Sequence, residues 1–185
     1  MLRSARVGLI ESLLERMFPP EPEPLGAVRA GRVHRLTARG RVVPRDLIES
    51  PLTGIRCVYY RYLVEEWRAA SLAVGGAGLW NCAEQDEAIA EFYLDDGSGR
   101  AVVEPTRAQI ALANAVVPEP VAVPPGRRAS EVRIESGDLV EIQGVVEAVD
   151  DLYDDGRGYR EQATRLLMRA GEGASLRIRV LEKRS

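Results

Sequence analysis

The chain has 185 residues, of which 45% are hydrophobic and 29% charged, with a formal net charge of −3 and a pI near 5.4. This size suits one compact domain, and the slightly acidic balance offers no basic field for phosphates, so nucleic-acid binding is not expected. Two cysteines and one histidine are too few ligands for a RING or zinc finger, and no metal or cofactor is expected.

Residues 1–18 are predicted to form an amphipathic helix, and Pro19 and Pro20 end it. Its apolar residues recur at helical spacing between charged ones: Val7, Ile10, Leu13, Leu14, Met17 and Phe18. Residues 19–24 are an extended, acidic linker. The sequence leaves open whether the helix docks on the domain, on another copy or peripherally on a membrane. With no apolar run of about 18 residues and no signal peptide, a cytoplasmic location is expected.

Residues 25–185 are predicted to form one β domain. Turn signals containing glycine separate short runs of β-forming residues: AVRAGRVHRL, RCVYYRYLVEEW, EFYL, RAVVEP, DLVEIQGVVEAV and SLRIRVLE. EFYL-DDGSG-RAVVEP predicts a hairpin, and Gly144 marks a bend or bulge within a strand. The predicted fold class is all-β, a small OB-like barrel with an N-terminal amphipathic helix. Residues 111–125 are an edge strand or a packed loop, and residues 159–173 a helix or a strand.

The stretch that follows the turn SPLTG is the densest aromatic run in the chain. In a strand, Cys57, Tyr59, Arg61 and Leu63 share one face, and Val58, Tyr60, Tyr62 and Val64 share the other. The second set is predicted to face the core, because it is entirely apolar or aromatic.

That assignment leaves Tyr59, Arg61 and Glu65 as a candidate partner-binding surface, since Tyr and Arg are common in interface hot spots. Alternatively, both tyrosines only pack over the barrel and Arg61 pairs with a carboxylate. A catalytic role for Cys57 is not expected, because it needs a general base and His34 is the only imidazole.

Two acidic clusters are predicted to be structural. DDLYDDGRG, residues 150–158, lacks the alternating ligands and closing glutamate of a calcium loop, so a solvated loop is expected. Asp95 and Asp96 are expected to support the hairpin turn before Gly97.

Residues 30–148 resemble the BAM ("beside a membrane") domain of the GIDE family, which includes mitochondrially anchored RING-type ubiquitin ligases. The residues that carry the resemblance lie in two strings: Ser50, Pro51, Gly54, Cys57, Tyr59 and Tyr60 in the first, and Phe92, Asp95, Asp96, Gly97, Gly99, Val103 and Pro105 in the second. GDLVEIQGVVEAV follows them. The resemblance implies a fold and an interaction or sensing role. It does not imply ligase activity, because the RING and the flanking membrane spans of the ligases have no counterpart here.

The sequence therefore predicts a non-catalytic binding or sensing module that acts through a protein partner, whose identity the residues do not specify. One alternative is an accessory subunit of a ubiquitin-ligase-like or other enzymatic assembly whose catalytic part is on another chain. Another is an OB-type nucleic-acid binder that uses Tyr59, Tyr62 and Arg61. Self-association is left open.

Overall fold

A computed structural model of the chain describes residues 21–28, 33–69, 78–113, 116–150 and 164–184. These residues form a 3-10 turn, Leu25–Ala27, and thirteen strands. The strands are β1 His34–Pro44, β2 Ile48–Glu49, β3 Arg56–Cys57, β4 Tyr59–Arg68, β5 Leu79–Ile89, β6 Phe92–Asp95, β7 Arg100–Val103, β8 Ala108–Leu112, β9 Glu119–Val121, β10 Arg127–Ile134, β11 Leu139–Asp150, β12 Thr164–Arg169 and β13 Leu176–Glu182.

Five strands close into a barrel, which confirms the predicted all-β barrel. Around its wall the order is β1, β6, β7, β12 and β11, and β11 pairs with β1 to complete the circle. The neighbours are antiparallel except β7 and β12, which are parallel. β13 continues beside β11 after β12, and β8 pairs in parallel with β13 at the edge of the sheet.

The barrel core is built by alternation along each strand. β1 contributes Leu36, Ala38 and Val42, and β11 contributes Val140, Ile142 and Val146, so residues two apart face inward. Gly144 continues this inward set on β11. A Cβ there would lie 2.6 Å from Leu176 Cδ1 and 2.9 Å from the Arg169 carbonyl oxygen. The glycine therefore leaves room for β12 to end and β13 to begin against the same strand. The register of β11 with β1 is regular through Gly144, so the predicted bulge does not lie there.

A second sheet of four strands, in the order β5, β4, β10 and β9, lies between barrel strands in sequence. It has its own smaller apolar cluster, formed by Cys57, Tyr60, Tyr62, Val64 and Ala129. β4 pairs with β5 on one side and with β10 on the other. β5 and β9 are the edges of this sheet.

The predicted hairpin between β6 and β7 is present and holds the segment that precedes the barrel. The carboxylate of Asp96 accepts hydrogen bonds from the turn amides of Ser98 and Gly99, both at 2.8 Å, and from the amide of Leu25 at 2.6 Å. The Leu25 side chain is completely buried in the barrel core. The DDGSG turn therefore anchors residues 24–28 to the barrel.

The remaining sequence predictions have mixed outcomes. The six predicted β runs all contribute strands, Thr164–Arg169 is a strand rather than a helix, and Glu119–Val121 is an edge strand. The predicted N-terminal helix and most of the acidic loop at 150–158 lie outside the described residues. Strands β2, β5 and β10 and most of β8 lie outside the predicted runs.

Candidate interaction surface

The tyrosines of β4 form a ladder of hydrogen bonds to carboxylates on β5. The hydroxyl of Tyr59 donates to Glu87 Oε1 at 3.1 Å, and that of Tyr60 to Asp86 Oδ2 at 2.9 Å. The third hydroxyl, that of Tyr62, donates to Glu84 Oε1 at 2.7 Å. Three carboxylates are thereby held in fixed positions on one strand.

Hydrogen bonding and burial raise the pKa of all three tyrosines. The bond to Glu84, assisted by burial, raises the pKa of Tyr62 to about 12, and the bond to Asp86 raises the pKa of Tyr60. Burial, and then the negative charge of Glu87, raises the pKa of Tyr59. All three hydroxyls are therefore donors at neutral pH, and the carboxylates keep further acceptor sites for another ligand.

β5 is an exposed edge strand. Ten of its eleven residues pair with β4, Ala83 lies at a register shift, and no other described strand pairs with it. Residues 79–87 are all exposed. An edge strand presents a row of backbone N–H and C=O groups on its open side. β5 therefore offers the backbone pattern that an incoming extended segment requires.

A groove with a volume of about 500 Å³ runs across the sheet beside β5. Its lining combines polar and apolar groups from three adjacent strands and the segment before β9: Arg61, Tyr62, Leu63, Gln85, Asp86, Glu87, Pro118, Ser130, Glu131 and Val132. The strand register places Arg61 between Glu87 and Val132, so the groove crosses the strands at that row.

The prediction that Tyr59 lies on an exposed surface is wrong. Its side chain is 0% exposed and belongs to the barrel core together with Val58. The cause is a break in the strand at Val58, between β3 and β4, which turns Val58 and Tyr59 toward the barrel while Cys57 and Tyr60 enter the smaller cluster. The predicted burial of Val58, Tyr60, Tyr62 and Val64 is confirmed.

The other two predicted surface residues lie on the same side of β4. Arg61 is exposed and lines the groove. Glu65 is half-buried and accepts two hydrogen bonds from Arg128, at 2.6 and 2.9 Å, which hold the pKa of Glu65 below its usual value. Arg128 also lies 4.6 Å above the ring of Trp80, so Glu65 is already engaged and Arg61 is the more available of the two.

The SPLTG turn is fixed by a buried carboxylate on β10. Both oxygens of Glu131, whose side chain is completely buried, accept hydroxyl hydrogen bonds: one from Ser50, the other from Thr53 at 2.7 Å. Gly54 closes the turn at a φ of 69°, in the region that favours glycine. Ser50 and Gly54, two residues of the family resemblance, are therefore structural.

Glu131 also binds Arg133, which is the centre of a buried ionic network. Arg133 donates to Glu131, to Glu119 at 2.6 Å and to Glu135 at 3.1 Å. Lys183 extends the network by donating to the backbone carbonyl of Arg133 at 2.8 Å. The network ties β9, β10 and the C-terminal end of the chain together beneath the groove.

Cys57 is a poor nucleophile in this environment. Burial, followed by the negative charges of Glu131 and Glu135, raises the pKa of its thiol to about 11. A reactive cysteine needs the opposite shift. The His34 side chain is outside the described residues, so the Cys57–His34 pairing is untested.

No local sequence pattern predicts the role of the carboxylates on β5 or the burial of the Glu131–Arg133 pair. Glu84, Asp86 and Glu87 lie in a polar run without strand-like alternation, and Glu131 and Arg133 are charged residues that occupy buried positions. The one usable signal was the acidic string EQDE beside a tyrosine-rich strand.

No group of three His, Cys, Asp or Glu side chains in the described ranges is arranged to hold a metal ion. Within the same ranges, no helix is long and apolar enough to cross a membrane. Comparison of the chain with protein-family models, curated proteins and solved structures found no match.

Proposed function

We propose that this chain is a non-catalytic binding module that takes up an extended segment of a partner protein along β5. The observation that carries the proposal is the exposed edge of β5 beside the groove. Strand addition supplies affinity through backbone hydrogen bonds, and alternate side chains of the added segment supply specificity through adjoining pockets.

The charge of β5 defines the partner segment further. Glu84, Asp86 and Glu87 are held by tyrosine hydroxyls, so they are ordered before a ligand arrives. Preorganised groups lose less conformational entropy on binding. A segment with Lys or Arg side chains complements this strand.

The resemblance to the BAM domain of the GIDE family supports the same role.

We also propose that the barrel is OB-like. When the five barrel strands are numbered by their order in the chain, their order around the wall is first, second, third, fifth and fourth. The third and fifth strands are parallel. This order is that of a five-stranded Greek-key barrel.

Nucleic-acid binding by the β4 tyrosines is not the function that the geometry favours. Stacking on bases needs exposed aromatic faces. The side chains of Tyr59 and Tyr62 are buried, at 0% and 5% exposure.

The two cysteines allow a direct test. Cys82 lies exposed on β5, whereas Cys57 is buried, so a maleimide photo-crosslinker attaches to Cys82 in the folded chain. We expect this probe to capture a partner protein, and Arg61→Ala to reduce capture without changing the melting temperature.

A matched control places the probe on another edge strand. Gln109 is exposed on β8, so the variant Cys82→Ser with Gln109→Cys carries the same probe outside the proposed surface. Equal capture from both positions, or capture that is insensitive to Arg61→Ala, contradicts the proposal.

A further inference from the structure

The outer wall of the barrel carries a concentration of arginines. β11 has β1 along one side, and β12 and β13 one after the other along the opposite side. Residues that alternate with the core residues of these strands face outward. The outward positions carry seven arginines and two glutamates: Arg35, Arg39, Arg41, Arg165, Arg169, Arg177 and Arg179, with Glu141 and Glu147. Glu182 is exposed beside them after the register shift at the end of β13. We call this surface the arginine face.

Two arginines of the face share one carboxylate. Glu141 lies between Arg39 and Arg179, with N–O distances of 2.9 and 4.0 Å, so two guanidinium groups share one carboxylate. Both arginine side chains remain about half exposed, at 50% and 52%. This row of the wall therefore presents two half-exposed guanidinium groups around one carboxylate, a local excess of positive charge in a chain whose net charge is −3.

We propose that the arginine face binds an extended, carboxylate-rich segment of a protein. Outward residues two apart on one strand are roughly 6.6 Å apart, as are alternate residues of an extended peptide. Arg39 and Arg41 on β1 therefore match successive carboxylates of such a segment, and Arg179 lies in the same row as Arg39 across Glu141. Guanidinium groups bind carboxylates through paired hydrogen bonds, which gives the contact direction as well as charge.

The composition of the face favours this ligand over single-stranded nucleic acid. None of the four strands contains Phe, Tyr or Trp, so these strands offer no aromatic side chain on which bases stack. Its arginines already bind carboxylates, as Arg169 does with Glu147 at 2.6 Å. The face is separate from β5 and the groove, so this proposal does not depend on the one above.

The test is a titration of the full chain into a fluorescently labelled oligoglutamate peptide, followed by anisotropy at low salt. Arg39→Gln with Arg179→Gln removes the two charges that share Glu141. We expect this pair of substitutions to weaken binding about tenfold, as the loss of two exposed charge pairs does. Raising the salt concentration weakens binding by the parent.

A control variant matches both the charge change and the local geometry. Arg68 and Arg127 share Glu66 on the other sheet, at 3.9 and 3.5 Å, so Arg68→Gln with Arg127→Gln also removes two charges around one glutamate. We expect this control to keep binding within about twofold of the parent.

Four results overturn the proposal. They are absence of binding by the parent at low salt, equal losses in the two double variants, tighter arginine-dependent binding of oligothymidylate than of oligoglutamate, and arginine-dependent self-association in sedimentation without peptide. The third identifies the face as a nucleic-acid site, and the fourth as a contact between copies of the chain.

Discussion

Tyr62 donates its hydroxyl hydrogen to Glu84, which is its diagonal rather than its direct neighbour across the sheet. The direct partner of Tyr62 on β5 is Asp86, and Glu84 stands opposite Val64. Tyr60 stands opposite Ala88 but donates to Asp86. Tyr59 stands opposite Ile89 but donates to Glu87. Long side chains reach diagonal neighbours in antiparallel pairs. The ladder therefore fixes the register of an edge strand that has little apolar surface of its own.

Tyr59 is predicted to contribute more to stability than Tyr60. Tyr59→Ala empties a completely buried site in the barrel core, and we expect it to lower the free energy of unfolding by about 3 to 5 kcal/mol. Tyr60→Ala empties a site in the smaller cluster and should cost less. Urea unfolding of the two variants measures the difference.

Tyr59→Phe separates the hydroxyl from the ring. It keeps the packing but removes the hydrogen bond to Glu87, so a loss of about 1 kcal/mol is expected. A larger loss of unfolding free energy from Tyr60→Ala than from Tyr59→Ala would show that Tyr59 is not the tyrosine that fills the barrel core.

Glu131→Ala is predicted to be among the most destabilising single changes in the chain. It removes the carboxylate that pairs with buried Arg133 and leaves the Ser50 and Thr53 hydroxyls without their partner. Breaking one side of a buried ion pair costs about 3 to 5 kcal/mol. Glu147→Ala is the control, because its pair with Arg169 is exposed and should be worth about 1 kcal/mol or less. Similar losses of unfolding free energy in both variants, measured by urea unfolding, would mean that the Glu131–Arg133 pair contributes no more to stability than an exposed ion pair.

The barrel was predictable because its strands obey simple rules. Alternating apolar residues in β1, β11 and β13 point into one core, and Gly97 allows the tight turn between β6 and β7. Such strands can be predicted from the sequence because each has one solvent-exposed face and one buried face.

The second sheet was predictable only in part, because its residues follow tertiary rather than local rules. β5 is exposed on both faces and rich in Ala and Glu, so it lacks alternation and its propensity opposes a strand. Its tyrosine partners hold it in the sheet. β10 buries Glu131 and Arg133 beside Val132, so charge does not mark its exposed face. The strand break at Val58 interrupts the alternation of buried and exposed residues, and no glycine or proline marks it in the sequence. The prediction for Tyr59 was wrong for this reason.

Asp96→Ala is predicted to loosen the segment that leads into the barrel. The substitution removes the acceptor for the amides of Leu25, Ser98 and Gly99, and hydrogen bonds to a charged group are worth about 1.5 to 3 kcal/mol. Hydrogen exchange should quicken at Leu25 and in the turn. Asp95→Ala is the control for the Leu25 amide, because Asp95 binds Arg100 and the turn amide of Gly97 rather than Leu25. Unchanged protection of the Leu25 amide in Asp96→Ala would show that burial of its side chain alone holds the segment.

Cys57 is predicted to make the fold sensitive to alkaline pH. Its pKa rises from 9.0 to about 11 on folding, so the unfolded chain ionises first. The stabilisation is fully present below pH 9 and is lost as the pH rises toward 11. Cys57→Ala lacks this ionisation, so the difference in unfolding free energy between parent and variant should shrink over that interval. Urea unfolding at several pH values measures it. Both proteins carry the same tyrosines, so the main effect of tyrosine ionisation is common to the two; the Cys57 charge adds only the smallest contribution to the raised pKa of Tyr60. A difference that stays constant with pH would mean that the thiol ionises equally well in the folded and unfolded chains.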